Sequence, residues 1–145
     1  MARTHAEEVL NSLLRGELAA TETYQQAMAK VHDVPDAEEL RRIHHEHWAA
    51  ANALRQHVHT LGGKADRGSG LWGAFAKTVE RAATLIGYAS ALHALKEGEQ
   101  HGVKEYRDAL IEDRLPSACK EYIRATLLPQ TESHVRLLER LLSTK

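Results

Sequence analysis

Apolar positions recur every three to four residues along four long stretches of this chain, the period of helices that each bury one face. The first stretch carries Leu10, Leu13, Ala20, Tyr24, Ala27 and Val31. It opens with Thr4 and Glu7 in capping-box spacing and is predicted to run to about Val31, where the turn from His32 to Asp36 stops it. The second presents Leu40, His44, His47, Ala51, Leu54, Val58 and Leu61, and Gly62-Gly63 ends it as a C-cap. The third spans about Ala89 to Asp113, with Leu92, Leu95, Tyr106 and Ala109 inward. After Arg114-Leu115-Pro116 the fourth turns Ile123, Leu127, Gln130, His134, Leu137 and Leu141 to the core. Between Gly62 and Gly87 the connection is too long for a tight hairpin. It holds its own amphipathic piece at Leu71, Trp72, Phe75, Val79 and Ala82, which predicts a crossover carrying a short helix. No stretch alternates as a strand does. The pattern predicts an all-α chain in one domain of 145 residues, an up-down-down-up four-helix bundle built from two hairpins and a long crossover.

Two carboxylates interrupt the apolar seams in matching places. Glu17 follows Gly16 and precedes Tyr24 by seven residues, and Glu99 follows Gly98 and precedes Tyr106 by seven. An unpaired buried carboxylate is costly, so two at equivalent positions imply something held between them. His44, His47, Gln130 and His134 fall at the same height on the other two helices. With ten histidines and the lone Cys119, neither a disulfide framework nor a cysteine cluster is available. Nitrogen and oxygen ligands to a metal are the chemistry that remains.

The Glu-x6-Tyr pairs on helices 1 and 3, facing histidines on helices 2 and 4, resemble the ferritin-like superfamily. The chain is more closely similar to a family of short, uncharacterised bacterial ferritin-like proteins. That likeness rests on Leu61-Gly62-Gly63, Gly68-Ser69-Gly70, Trp72-Gly73-Ala74, Gly98-Glu99 through Tyr106, Ala109-Leu110, Leu115-Pro116, and Gln130 before His134. The resemblance implies that Glu17 and Glu99 are terminal metal ligands. It also implies that Tyr24 and Tyr106 hydrogen-bond a ligand carboxylate on the opposing helix.

The chain departs from di-iron members in having no Glu-x-x-His. Helix 2 offers His44-x-x-His47, with Ile43 competing for the core position of His44, and helix 4 offers Gln130 with His134 four residues on. Pro129 should kink helix 4 and reposition Gln130 or His134. Two carboxylates match the charge of one divalent ion, or of a loosely held pair. The expected metal ligands are Glu17, His44, His47, Glu99 and His134, with Tyr24, Tyr106 and Gln130 around them. Iron is the expected ion, with zinc or manganese as alternatives, serving slow ferrous oxidation or stress-related iron handling. The rival readings are a metal-free stress or interaction protein, its Glu and His side chains forming a buried ionic network, and a haem-binding bundle with paired histidines.

His45 and Glu46 are expected on the outer face, and His5, His32, His57, His59, His93 and His101 at the surface. A formal net charge of -1 supplies no field for nucleic acid or an anionic membrane. Neither a spanning apolar run nor a signal-like start is seen, so the expectation is a cytoplasmic protein. Trp48, Trp72 and the stripe Leu137, Leu138, Leu141 and Leu142 predict association, as a dimer.

Overall fold

The computed structural model describes residues 2–68 and 87–145. The expected crossover helix, with Trp72, lies outside these residues. Among the described residues the chain is all-helical, with no strand. Helix α1 spans His5–Met28, α2 Val34–Thr60 and α3 Tyr88–Leu110. A fourth rod is composite: α4 over Ser117–Tyr122, a π-helical turn over Ile123–Leu127, and α5 over Leu128–Leu142.

The helix ends follow local chemistry. Thr4 caps α1 by accepting from the Glu7 N–H at 3.1 Å. The Glu7 carboxylate does not close the box. It turns to the Lys64 N–H at 3.0 Å instead. The expected stop from His32 to Asp36 is shorter than its sequence suggests, because Asp33 caps α2 and Pro35 and Asp36 already lie in its first turn. Gly62 adopts φ 76° past the end of α2, with the Gly62 N–H bonded to His59 O at 2.9 Å and the Gly63 N–H to Val58 O at 3.0 Å. That is the Schellman closure, which suits glycine in the left-handed region.

Beyond α2 the chain is clamped onto α1. Asn11, fully buried, donates to Lys64 O at 3.1 Å and accepts from the Asp66 N–H at 2.8 Å. Arg3 and Arg15 each reach the Asp66 carboxylate at 2.5 Å. These contacts lay the end of α2 beside the start of α1, so the pair runs antiparallel.

Pro129 follows a change of helix type on this rod. Its ring removes an N–H and crowds the preceding turn, and the chain answers with the π-helical turn, in which the Leu128 N–H reaches back to Ile123 O. The wider turn accommodates an inward spacing of 123, 127, 131, 134 and 138. Thr131 therefore faces the core, 4% exposed, where Gln130 was expected, and Gln130 is only half-buried.

Two apolar clusters fill the bundle. One gathers Leu10, Leu14, Leu54, Val58, Ile123 and Leu127, and the other Leu40, Ile43, Leu92, Leu95, Leu138 and Leu141. Of the leucine stripe, Leu137, Leu138 and Leu141 are buried there and Leu142 is half-buried against them, while Trp48 is 53% exposed. On every rod one buried Glu or His falls between the segments that feed the two clusters: Glu17, His47, Glu99 and His134. No helix among the described residues is long and apolar enough to cross a membrane.

Candidate metal centre

The polar layer is one connected chain of side chains. His47 turns Nδ1 to Glu17 Oε2 at 2.5 Å and Nε2 to Glu99 Oε1 at 2.5 Å. His134 turns Nδ1 to Glu99 Oε2 at 3.0 Å and Nε2 to Glu46 Oε1 at 2.6 Å. Tyr106 donates its hydroxyl to Glu17 Oε1. Two imidazoles thus alternate with three carboxylates, and Glu99 stands in the middle. A carboxylate only accepts, so each ring fills both contacts only when both of its nitrogens carry hydrogen.

Burial and charge compete in this layer. Burial alone would lower the His47 pKa, but the charges of Glu99 and Glu17 and its bonds to both hold it well above the usual value. Burial would likewise raise Glu99. The His47 charge and the bonds from His134 and His47 overcome this and bring it down to about 2. Tyr24 and Tyr106 are pushed well above the normal phenol range by burial and then by the neighbouring carboxylates, so both stay neutral.

His47, Glu99 and His134 each offer a ligand atom within 4.8 Å of the others, and all three side chains are buried. Atoms sharing one ion at about 2.1 Å lie no more than about 4.2 Å apart. Small side-chain shifts that exchange the present hydrogen bonds for an ion are sufficient. The donor set, two imidazoles and a carboxylate from three different helices, suits zinc, manganese or ferrous iron. Beside it lies a cavity of about 50 Å³ lined among others by Gly16, Ala20, Tyr24, Gly98, Gly102 and Thr131. That is room for a few waters.

The other expected residues take different places. Glu17 stands behind His47, on its Nδ1 side, outside the trio that includes Glu99. Tyr106 fills the role of a phenol bonded to a carboxylate on an opposing helix. Tyr24 does not: its hydroxyl is buried without a partner among the described residues, and its ring stacks on His47 with centroids 5.3 Å apart. The two histidines already occupy Glu99. His44 is half-buried, with Nε2 unpartnered among the described residues, because Ile43 takes the core position at 0% exposure. Gln130 gives way to Thr131, whose hydroxyl is satisfied by Leu127 O at 2.7 Å.

Glu46 was expected in solvent. Instead it reaches over the rim of α2 to His134, its side chain 31% exposed. The signal was present in the sequence: position 46 follows Ile43 by three and precedes Ala50 by four, the spacing of a seam's flank.

These charges give the metal-free protein a definite pH profile. Glu99, with its pKa lowered from the usual 4.5, contributes stability that is complete above that value and is lost as pH falls toward about 2. His47, with its pKa raised, contributes stability that is complete below the usual 6.5 and is lost as pH rises through its folded value. The Tm of chelator-treated protein should therefore be highest between about pH 5 and 6.5 and fall on both sides. Metal affinity should rise with pH over the same alkaline arm, because an ion must displace ring protons. Thermal unfolding with EDTA and with zinc checks both trends; parallel pH profiles would contradict this charge assignment.

Fold and site define a chain that is all-helical over its described residues, with a buried histidine-carboxylate group able to hold a metal ion. The chain belongs to the family described as a domain of unknown function (DUF2383), whose match covers residues 5–112. The matched segment contains Glu17, Tyr24, Glu46, His47, Glu99 and Tyr106, and His134 lies beyond it. No curated protein and no solved structure matches the chain.

Proposed function

We propose that this chain is a ferritin-like protein that binds one divalent ion, iron in the cytoplasm, between His47, Glu99 and His134. The observation that carries the reading is the convergence of those three buried side chains from separate helices. The ferritin-like order is supported by contacts between helix pairs. Tyr106 meets Glu17 whereas Leu92 and Leu95 share a cluster with Tyr24, so α3 opposes α1. Tyr88 meets Asp36 at 3.0 Å and Glu99 meets His47, so α3 runs with α2.

His47, Glu99 and His134 would hold the ion, while Glu17 fixes the His47 ring and Tyr106 fixes Glu17. Bound iron supplies electron transfer to dioxygen or peroxide. The two apolar clusters flank the layer, and the adjoining cavity leaves space for a small co-ligand. No bridging Glu-x-x-His carboxylate is present, so oxidation of ferrous iron is slow. A haem does not fit this reading, since cofactor pockets measure hundreds of Å³ and the cavity is about 50 Å³.

One observation favours the metal-free alternative: every ring nitrogen of His47 and His134 already faces a carboxylate within 3.0 Å. Loading decides between the two. Protein reconstituted anaerobically with ferrous iron, zinc or manganese and then gel-filtered should retain about one ion per chain by elemental analysis. Negligible retention of all three metals overturns the proposal in favour of the ionic network.

A further inference from the structure

Glu46 belongs to no part of the metal-binding trio, yet it is in direct contact with one of its members. Its Oε1 stands 2.6 Å from His134 Nε2. On the opposite side of the same ring, Nδ1 faces Glu99. The mirror arrangement holds on α2, where His47 has Glu17 at Nδ1 and Glu99 at Nε2. Each histidine is therefore backed by one carboxylate and points its other nitrogen at Glu99.

The two backing carboxylates differ in setting. Glu17 is 6% exposed and anchored by Tyr106. The Glu46 side chain is 31% exposed and lies 3.6 Å from Arg42, which also pairs with Glu39 at 2.8 Å. Of the five linked Glu and His side chains, Glu46 has the most exposed one, so its position is held by few contacts beyond His134 itself.

We infer that Glu46 is a positioning residue for the metal centre, accepting the Nε2 hydrogen of His134 so that Nδ1 offers its lone pair to the ion. This rests on the metal-binding reading above. Neutral imidazole carries one hydrogen, and whichever nitrogen donates leaves the other to ligate. A carboxylate at Nε2 selects that tautomer, restrains the ring and makes Nδ1 a better donor. Without it, His134 can carry its hydrogen on Nδ1, where it donates to Glu99 and leaves no lone pair there for the ion.

The test is zinc affinity by chelator competition in wild type, Glu46→Ala, Glu46→Gln and Glu39→Ala. Outer carboxylates behind ligating histidines are worth about 10 to 100-fold in affinity, so Glu46→Ala should weaken zinc binding by that factor. Glu46→Gln should recover part of the loss, since its amide oxygen still accepts from Nε2. Glu39→Ala removes the same charge from the same helix and should change affinity less than about 2-fold. In zinc-loaded wild type, nitrogen-15 spectra should show His134 ligated through Nδ1 with hydrogen on Nε2. Glu46→Ala should lose that signature, which a purely structural role would not change.

Wild type that binds no zinc removes the metal-binding reading, and this inference with it. Zinc binding in wild type with Glu46→Ala unchanged overturns this inference alone. So does an equal loss in Glu39→Ala, which would make the effect one of charge, and so does ligation of His134 through Nε2.

Discussion

Glu99→Ala should abolish tight metal binding and unfold the chain more readily than any other single truncation in the polar layer. Glu99 is 3% exposed and is the one carboxylate that both histidines share. Removing it leaves His47 Nε2 and His134 Nδ1 buried and facing a void. Breaking a buried ionic pair from one side costs about 3 to 5 kcal/mol, which lowers the Tm of a chain this size by on the order of 10 °C. His47 also loses the larger of the two charges that keep its pKa high. The ring should then give up its proton at lower pH than in wild type, because burial opposes the charged form. Zinc affinity should fall at least about 100-fold, since a ligand and the charge balance go together. His59→Ala, at an exposed position near the end of α2, is the control and should bind as wild type does. Titration calorimetry of the three proteins reads this directly. Equal losses in both variants would place the ion elsewhere.

The polar layer was legible in the sequence because cost and periodicity pointed to the same positions. Glu17, His47, Glu99 and His134 sit on apolar seams where solvation is forfeited, and each is buried. What periodicity missed came from departures from the ideal 3.6-residue helix and from the width of a seam. At the fourth rod an ideal helix brings both Gln130 and Thr131 near the face of Leu127, and past the π-helical turn the inward one is Thr131. On α2 the seam is wide enough for Ile43 and His47 both to be buried, which leaves His44 on one flank and brings Glu46 on the other to His134. The expected pairing of Tyr24 with Glu99 failed for a reason that lies between helices rather than along one. Two rings from different rods converge on that carboxylate, and the Tyr24 ring packs on one of them, His47, instead of bonding to Glu99.

Thr131→Glu should turn a metal-tolerant layer into a metal-dependent one. Thr131 precedes His134 by three residues, is 4% exposed and lines the cavity with Glu17, His47 and Glu99. Its Cγ2 would stand 3.4 Å from a Cβ placed on Gly102, so the side chain faces α3. The substitution adds two heavy atoms toward a cavity of about 50 Å³, recreating Glu-x-x-His on the fourth rod. Without metal, a further carboxylate then sits near Glu99 and Glu17 with no unclaimed imidazole to meet it. The Tm of the metal-free variant should fall by on the order of 10 °C. An ion offsets the added charge, and at about 100 times its Kd it contributes about 2.7 kcal/mol through binding alone. The rise in Tm on adding ferrous iron should thus be larger in the variant than in wild type. Iron retained per chain should also increase, because the extra carboxylate supplies charge and a bridging oxygen for a second ion. His44→Glu, on the half-buried flank, should have little effect by comparison. Wild type that already oxidises ferrous iron rapidly in stopped-flow would show that bridging carboxylates are not what the site lacks. A Thr131→Glu variant that binds no additional iron would show that the cavity beside Glu99 is not continuous with the ion's position.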